Sequence, residues 1–303
     1  MDLFQALKQE GVSPELIDGV LAYRDGHGIS SDSRVPEPHF MYYGRDVWEE
    51  ALAAILSGAN VLLAGAKATG KNVLSENLAA LFGRPLWNVS FHIDMDAAYL
   101  VGTDTFRDGA VAFRPGPVYE CARLGGFGVL DEINMARNEA LAVLHSLLDY
   151  RRVLDIPGYE VMRVHPAARF IATMNYGYAG TRDLNEALLS RFAVIRLPSI
   201  SHDNLLRLLH AEFPSIKDKA AKQFAMLFLE LEKKCEAGEV SAGAVDLRGL
   251  IDALHLMELG LEPHRALDMG ITNKSFDEFE PQLVRDAIAQ RLPSKLTRDD
   301  IFG

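Results

Sequence analysis

Short apolar runs alternate with helically spaced segments as far as Pro198, and only helical spacing remains beyond it. The runs Asn60–Gly65, Leu86–Ser90, Gly126–Leu130, Arg169–Met174 and Ala193–Leu197 are bounded by Gly, Pro, Asn or charged residues. They have the length and continuity of strands buried on both faces. Between them, Val47–Leu56, Lys71–Phe82, Pro117–Arg123, Ala136–Asp149 and Asn185–Phe192 space their apolar residues as helices do. Strand, helix and strand in that order predict βαβ units and a parallel sheet.

Three stretches stand outside this alternation. Leu3, Phe4, Leu7, Ile17, Val20 and Leu21 predict two short amphipathic helices, followed by a loop over Asp25–Pro38. This segment reads as a small appendage, a helical hairpin covering an edge or a neighbouring subunit. Arg107-Asp108-Gly109 and Pro157-Gly158 are turn signals and predict two hairpins, over Leu100–Arg114 and Val153–Val164. The first interrupts a βαβ crossover, where an insert tends to project and carry function. After Pro198, Asn204–Leu209, Lys219–Cys235, Leu247–Leu259 and Pro281–Gln290 predict helices alone. The expected organisation is an N-terminal helical segment and linker over 1–40, an α/β domain over 41–199 and an all-α lid over 200–303.

Composition narrows this picture only a little. At 303 residues, with 49% hydrophobic and 24% charged positions, the chain suits about two globular domains. No apolar run approaches the length of a transmembrane helix, and Met1–Gly11 lacks a signal-peptide pattern. Membrane insertion is not expected, and a cytoplasmic location is. Cys121 and Cys235 show no metal spacing and are expected to be reduced, packed thiols. The net charge of −11 argues against a broad nucleic-acid surface, though not against a local basic pore.

The candidate chemistry begins in Leu62–Leu74, LLAGAKATGKNVL, which has the P-loop spacing G-x-x-x-x-G-K. Glycines let backbone N–H groups turn toward an anion, the following helix N-terminus adds positive potential, and Lys71 supplies a mobile cation. Gly65, Ala66, Lys67, Ala68, Thr69, Gly70, Lys71, Asn72 and Val73 are therefore the expected phosphate-binding residues. A βα turn with a capping glycine would share the pattern. Asp131-Glu132, closing an apolar run, supplies the partners a P-loop needs: one carboxylate for Mg²⁺, the other to orient and deprotonate water. Asn175 ends the next run and either bonds the attacking water or γ-phosphate, or merely forms a turn before Gly177. Arg191 either complements a helix dipole or serves as an arginine finger for a neighbouring subunit, with Arg182 a second candidate. Arg248 opens a later helix, either as a solvated charge or as a bridge to the nucleotide.

Together these positions resemble the MoxR-type AAA+ ATPases of the helix-2-insert clade, closest to the CbbQ/NorQ-like branch. Gly65–Asn72 is similar to Walker A, Phe127–Glu132 to Walker B, Asn175 to sensor 1, Arg191 to the Ser-Arg-Phe finger and Arg248 to sensor 2. Asn175-Tyr-Gly-Tyr-Ala-Gly-Thr181 and Leu184–Phe192 follow the branch pattern closely, and the hairpins correspond to the helix-2 insert and the pre-sensor-1 hairpin. The resemblance spans about Tyr42 to Gln290. It implies a P-loop AAA+ domain with a helical lid, ATP and Mg²⁺ as ligands, and ATP hydrolysis. It also implies a ring, generally a hexamer, and a von Willebrand factor A-domain partner in remodelling a client protein.

Two departures stand out. Asn72 replaces the usual hydroxyl ligand of Mg²⁺, leaving Asn72 and Asp131 as the metal-side residues and predicting hydrolysis with altered metal dependence. Asp246-Leu247, not Ser/Thr-Pro, precedes Arg248. A nucleotide-dependent switch with little hydrolysis is the alternative reading. A DNA-directed motor is another, using Arg107 and Arg114 or Arg151, Arg152 and Arg163 on the hairpins.

Overall fold

The computed structural model describes residues 2–107, 109–156, 158–159, 161–175, 184–241, 243–275, 277 and 279–303. Contacts divide the chain into two compact units, one of residues 1–66 and 70–198, the other of 67–69 and 199–303.

The first unit is α/β. Its strands are β1 (Asn60–Gly65), β2 (Leu86–Ser90), β5 (Phe127–Asp131), β8 (Arg169–Asn175) and β9 (Phe192–Arg196). They form one parallel sheet in the order β2-β5-β8-β1-β9. β1 is buried along its whole length, as a continuous apolar run between helix layers must be. One core layer packs Leu63, Phe82, Phe127 and Ile171 with Trp48 of α3 (Arg45–Leu56) and Leu78 of α4 (Lys71–Phe82). The other packs Leu62, Leu130 and Phe170 with Leu144 and Val118.

The N-terminal helices α1 (Leu3–Gln9) and α2 (Pro14–His27) belong to the first of these layers. Leu7, Ile17, Val20 and Tyr23 are buried there, and the Tyr23 hydroxyl donates to Ala167 O at 2.6 Å. Helix α2 also extends through Asp25–His27, where a loop was expected, and ends at Gly28 with φ 72°. An α-helical turn, α5 (Ala97–Val101), precedes the first hairpin because Asp96 accepts a hydrogen bond from the Tyr99 N–H and caps it. The hairpin ladder of β3 (Gly102–Arg107) and β4 (Ala110–Pro115) therefore starts two residues later than the turn signal alone suggests.

The second hairpin is shorter than expected: β6 (Val153–Leu154) and β7 (Met162–Arg163) pair over two residues each. The two hairpins touch through the Phe113 and Tyr159 rings, 4.9 Å apart, and through the Tyr159 hydroxyl, which donates to Asp104 at 2.5 Å. After α6 (Pro117–Leu124) and β5, the single helix expected over Ala136–Asp149 is broken. It forms α7 (Asn138–Leu141), a 3₁₀ turn and α8 (His145–Leu148), because ψ near −15° at Leu141 and Leu144 tightens the backbone.

The helix expected over Asn185–Phe192 covers only α9 (Glu186–Leu189), capped by the Asn185 side chain. Phe192 is drawn instead into β9, and this puts Arg191 in the connecting turn. The second unit is helical: α10 (His202–Glu212), α11 (Asp218–Glu236), α12 (Leu247–Glu258), α13 (Pro263–Gly270), α14 (Glu280–Arg291) and α15 (Arg298–Ile301). Both cysteines are free. Among the described residues no helix is long and apolar enough to cross a membrane.

Candidate nucleotide site

The site is assembled where β1, β8 and β5 end. Parallel register sets Gly65 beside Asn175, and β5 ends next to β8 with Asp131. The loop after Gly65 turns through left-handed backbone at Ala68 (φ 65°) and Gly70 (φ 83°) before entering α4. Gly70 is required there: besides its φ, a Cβ would lie 3.1 Å from the Tyr42 ring. As the cap of α4 it has no side chain of its own to compete with an anion for the N–H groups of the first turn.

Lys71 is only 8% exposed, and its ammonium donates to Gly65 O at 3.1 Å and Ala66 O at 2.6 Å. Burial pulls its pKa down to about 8, against the opposing pull of the Asp131 and Glu132 carboxylates. Opposite it runs a chain of side-chain hydrogen bonds. Asn72 Nδ2 donates to Asp131 Oδ2 at 3.2 Å, and the Thr173 hydroxyl donates to Asp131 Oδ1 at 2.5 Å. The Glu132 N–H donates to Thr173 Oγ1 at 3.0 Å, and Asn175 Nδ2 donates to Glu132 Oε1 at 3.0 Å.

Glu132 sits in left-handed backbone (φ 55°, ψ 44°), an uncommon conformation for a residue with a Cβ. That turn carries its side chain away from the strand direction and out to solvent, while Asp131 remains half-buried. Asn134 Nδ2 donates to Asn175 O at 3.0 Å, tying the turn after β5 to the end of β8.

Thr173 and Asn134 escaped the sequence reading. Thr173 is fully buried within the otherwise apolar stretch Phe170–Met174, and a polar residue in such a run is the signal that could have marked it. Its hydroxyl joins Asp131 to the backbone of Glu132.

The structure thus brings together Gly65, Lys71, Asn72, Asp131, Glu132 and Asn175. Arg191 lies elsewhere: β9 begins opposite Asn60, at the far end of β1 from the P-loop. Five residues of strand are about 17 Å, beyond the reach of an arginine side chain. Arg248 is in the first turn of α12, in the helical unit. Arg182 and residues 176–181 of the motif after Asn175 lie outside the described residues.

The oxygen atoms beside the loop bear on Mg²⁺. Asp131 keeps lone pairs beyond the two hydrogen bonds it accepts, and the Asn72 amide, turned over, would offer Oδ1 where Nδ2 now stands. Hard oxygen donors of this kind fit Mg²⁺. No cluster of three or more His, Cys, Asp or Glu suited to a metal occurs among the described residues. Mg²⁺ held through one or two protein oxygens depends on nucleotide phosphates for much of the rest of its shell.

A parallel α/β sheet with a P-loop after β1, paired acids after β5 and an amide after β8 defines a P-loop nucleotide-binding domain of the AAA class. Residues 60–192 match the AAA domain (dynein-related subfamily). The chain is 37% identical over 248 residues to the uncharacterized protein YojN of Bacillus subtilis, covering 80% of this chain and 81% of that one. It is 34% identical over 248 residues to the uncharacterized protein SH1500 of Staphylococcus haemolyticus, covering 80% and 94%. With SAB1265c of Staphylococcus aureus, also uncharacterized, it shares 32% over 256 residues, covering 82% and 97%. The chain belongs to the AAA family, in its dynein-related subfamily.

Proposed function

We propose that this protein is an ATP-hydrolysing AAA+ motor of the MoxR type, near the CbbQ/NorQ-like branch. The observation that carries this reading is the bonded chain Asn72–Asp131–Thr173–Glu132–Asn175 facing the buried Lys71. A binding pocket needs a cation and a loop. The second carboxylate, turned outward and held by an amide, adds what hydrolysis requires.

In this reading the loop 65–73 binds the phosphates through its N–H groups, and Lys71 exchanges its carbonyl partners for phosphate oxygens. Asp131 and Asn72 hold Mg²⁺, which when bound neutralises phosphate charge. Glu132 accepts the proton of the attacking water, and Asn175 fixes the direction of that carboxylate. Arg191 serves the nucleotide of a neighbouring copy, because the sheet separates it from its own P-loop. Residues 41–199 would then be the nucleotide-binding domain and 200–303 the lid, with Arg248 as its contact to the nucleotide. A ring whose separate subunits do not turn over follows from a site shared between copies. Its size, taken as a hexamer, and a von Willebrand factor A-domain partner in client remodelling rest on the motif resemblance.

The test is steady-state phosphate release from Mg²⁺-ATP. Lys71→Ala should abolish nucleotide binding, and Glu132→Gln should bind ATP but lose about 10²-fold or more in turnover. Arg191→Ala should lose about 10³-fold. Mixing Arg191→Ala with Lys71→Ala should recover part of the turnover, since each supplies what the other lacks. Glu132→Gln turning over at the parental rate would defeat the base assignment. Negligible turnover in the parent itself would favour the nucleotide-dependent switch, which the Asn72 amide donated to Asp131 supports.

A further inference from the structure

Asp149 lies between two guanidiniums that hold it unequally. Arg151 takes both oxygens: its Nε is 3.1 Å from each, its Nη2 is 2.7 Å from Oδ2, and its backbone N–H donates to Oδ1 at 2.9 Å. Arg191 approaches the same carboxylate, but its Nη2 stays 3.6 Å from Oδ2, an ion pair without a hydrogen bond. Arg191 is otherwise pinned by backbone. Its Nε donates to His145 O at 3.1 Å, and its Nη1 donates to Ala187 O. Of the five N–H donors of a guanidinium, those two are used and the rest of the fork remains.

Exposure separates the three side chains. Asp149 is 11% exposed, Arg191 22% and Arg151 50%. The buried carboxylate therefore has its charge met mainly by a solvent-facing arginine, and the less exposed arginine keeps its donors. The Arg151 hydrogen bonds, and then the charges of Arg151 and Arg191, bring the Asp149 carboxyl down to about 2 against the effect of burial, so it is ionised at any working pH. His145, also near Arg191, has its pKa lowered by burial and by that guanidinium, and so adds no competing cation at neutral pH.

We propose that Asp149 and Arg151 are positioning residues for Arg191: Arg151 saturates Asp149, so the carboxylate draws Arg191 into place without consuming the donors meant for phosphate. The proposal rests on reading Arg191 as the finger for a neighbouring copy. Take the Arg151 side chain away and Asp149 keeps one backbone N–H, from residue 151, and is left with Arg191 as its charged partner. A small rotation then closes a bidentate pair, the strong form of this contact, and the finger is withdrawn. The bland alternative is a surface ion pair that contributes almost nothing.

The full-length protein in its assembled state, with Mg²⁺-ATP, decides between them. Arg151→Ala should lower kcat about tenfold while changing the Kd of a fluorescent ATP analogue by less than about twofold. Adding Asp149→Asn to Arg151→Ala removes the charge that captures Arg191 and should bring kcat back to within about threefold of the parent. Parental kcat in Arg151→Ala overturns the proposal, as does a loss that Asp149→Asn fails to restore, since that loss would be structural. Arg191→Ala retaining parental turnover is a separate outcome and removes the finger reading itself.

Discussion

Lys71 at one end of the sheet, and Arg84 and Arg169 at the other, are all buried cations, yet the protein holds them differently. Arg84 donates to Gly125 O at 2.7 Å, Leu124 O at 3.1 Å, and His27 O and Gly28 O at 3.3 Å. Arg169 donates to Ile55 O at 2.9 Å, Pro166 O at 2.7 Å and Ala168 O at 2.9 Å. Several of these carbonyls close helices α2, α3 and α6, where backbone acceptors lack partners and carry negative partial charge. A guanidinium there ties helix ends to the sheet. Lys71 has two carbonyls at the loop, two carboxylates acting on it, and a pKa brought down to about 8 by burial. The difference separates a cation that completes the fold from one placed to exchange partners.

The largest expected effect breaks that contrast on the structural side. Arg169→Met removes a buried charge but leaves three carbonyls without their donor, and should cost about 3 kcal/mol of stability. Chemical denaturation should show the loss, while nucleotide affinity below the melting range stays near parental. Lost affinity with unchanged stability would mean that the two ends of the sheet are not separate in role.

How much of this contrast could be read from sequence differs between the ends. The P-loop, Asp131-Glu132 and Asn175 are local patterns after apolar runs, and the five strands follow from those runs. Arg84 and Arg169 carry no local mark, because their acceptors are carbonyls as many as 114 residues away in sequence. Thr173 is similar: its residue type is visible, but its partner Asp131 comes from another strand. The N-terminal helices were legible as helices, whereas their place in the core depends on Tyr23 meeting Ala167 and Phe82. Arg191 was legible as a candidate, but its turn was not, since Phe192 suits a strand as well as a helix. The Asp149 and Arg151 pair gave no signal, because Asp149 reaches Arg191 only through the fold, where the turn before β9 is tied to α8 by Arg191 Nε donating to His145 O.

A pH titration sharpens the contrast on the functional side. Bound polyphosphate favours protonated Lys71, so binding takes up a proton wherever the free protein has lost it. Since burial lowers the Lys71 pKa to about 8, affinity should be flat below that pH and fall above it. The limit is about tenfold per pH unit. The free fold has the opposite trend: between about 8 and the unfolded value of 10.5 the unfolded chain binds more protons, so this group adds stability as pH rises. Calorimetric binding at pH 7, 8 and 9 reads the first trend. Affinity independent of pH over that range would leave Lys71 as fixed a cation as Arg169.

The smallest expected effect concerns Asn72, whose amide is the one departure inside an otherwise orthodox loop. Its Nδ2 now donates to Asp131 Oδ2, which keeps the carboxylate turned toward the loop but presents a donor where a metal needs an acceptor. To serve Mg²⁺ the amide must turn over, giving up that hydrogen bond. Asn72→Thr supplies a hydroxyl that accepts without such a turn, and no longer holds Asp131 by an amide. The concentration of Mg²⁺ giving half-maximal turnover at fixed ATP should therefore fall about threefold, a difference below 1 kcal/mol. An unchanged Mg²⁺ requirement would place Asn72 outside the metal's surroundings and leave Asp131 as the protein's own ligand, with the Asn72 amide serving only to orient it.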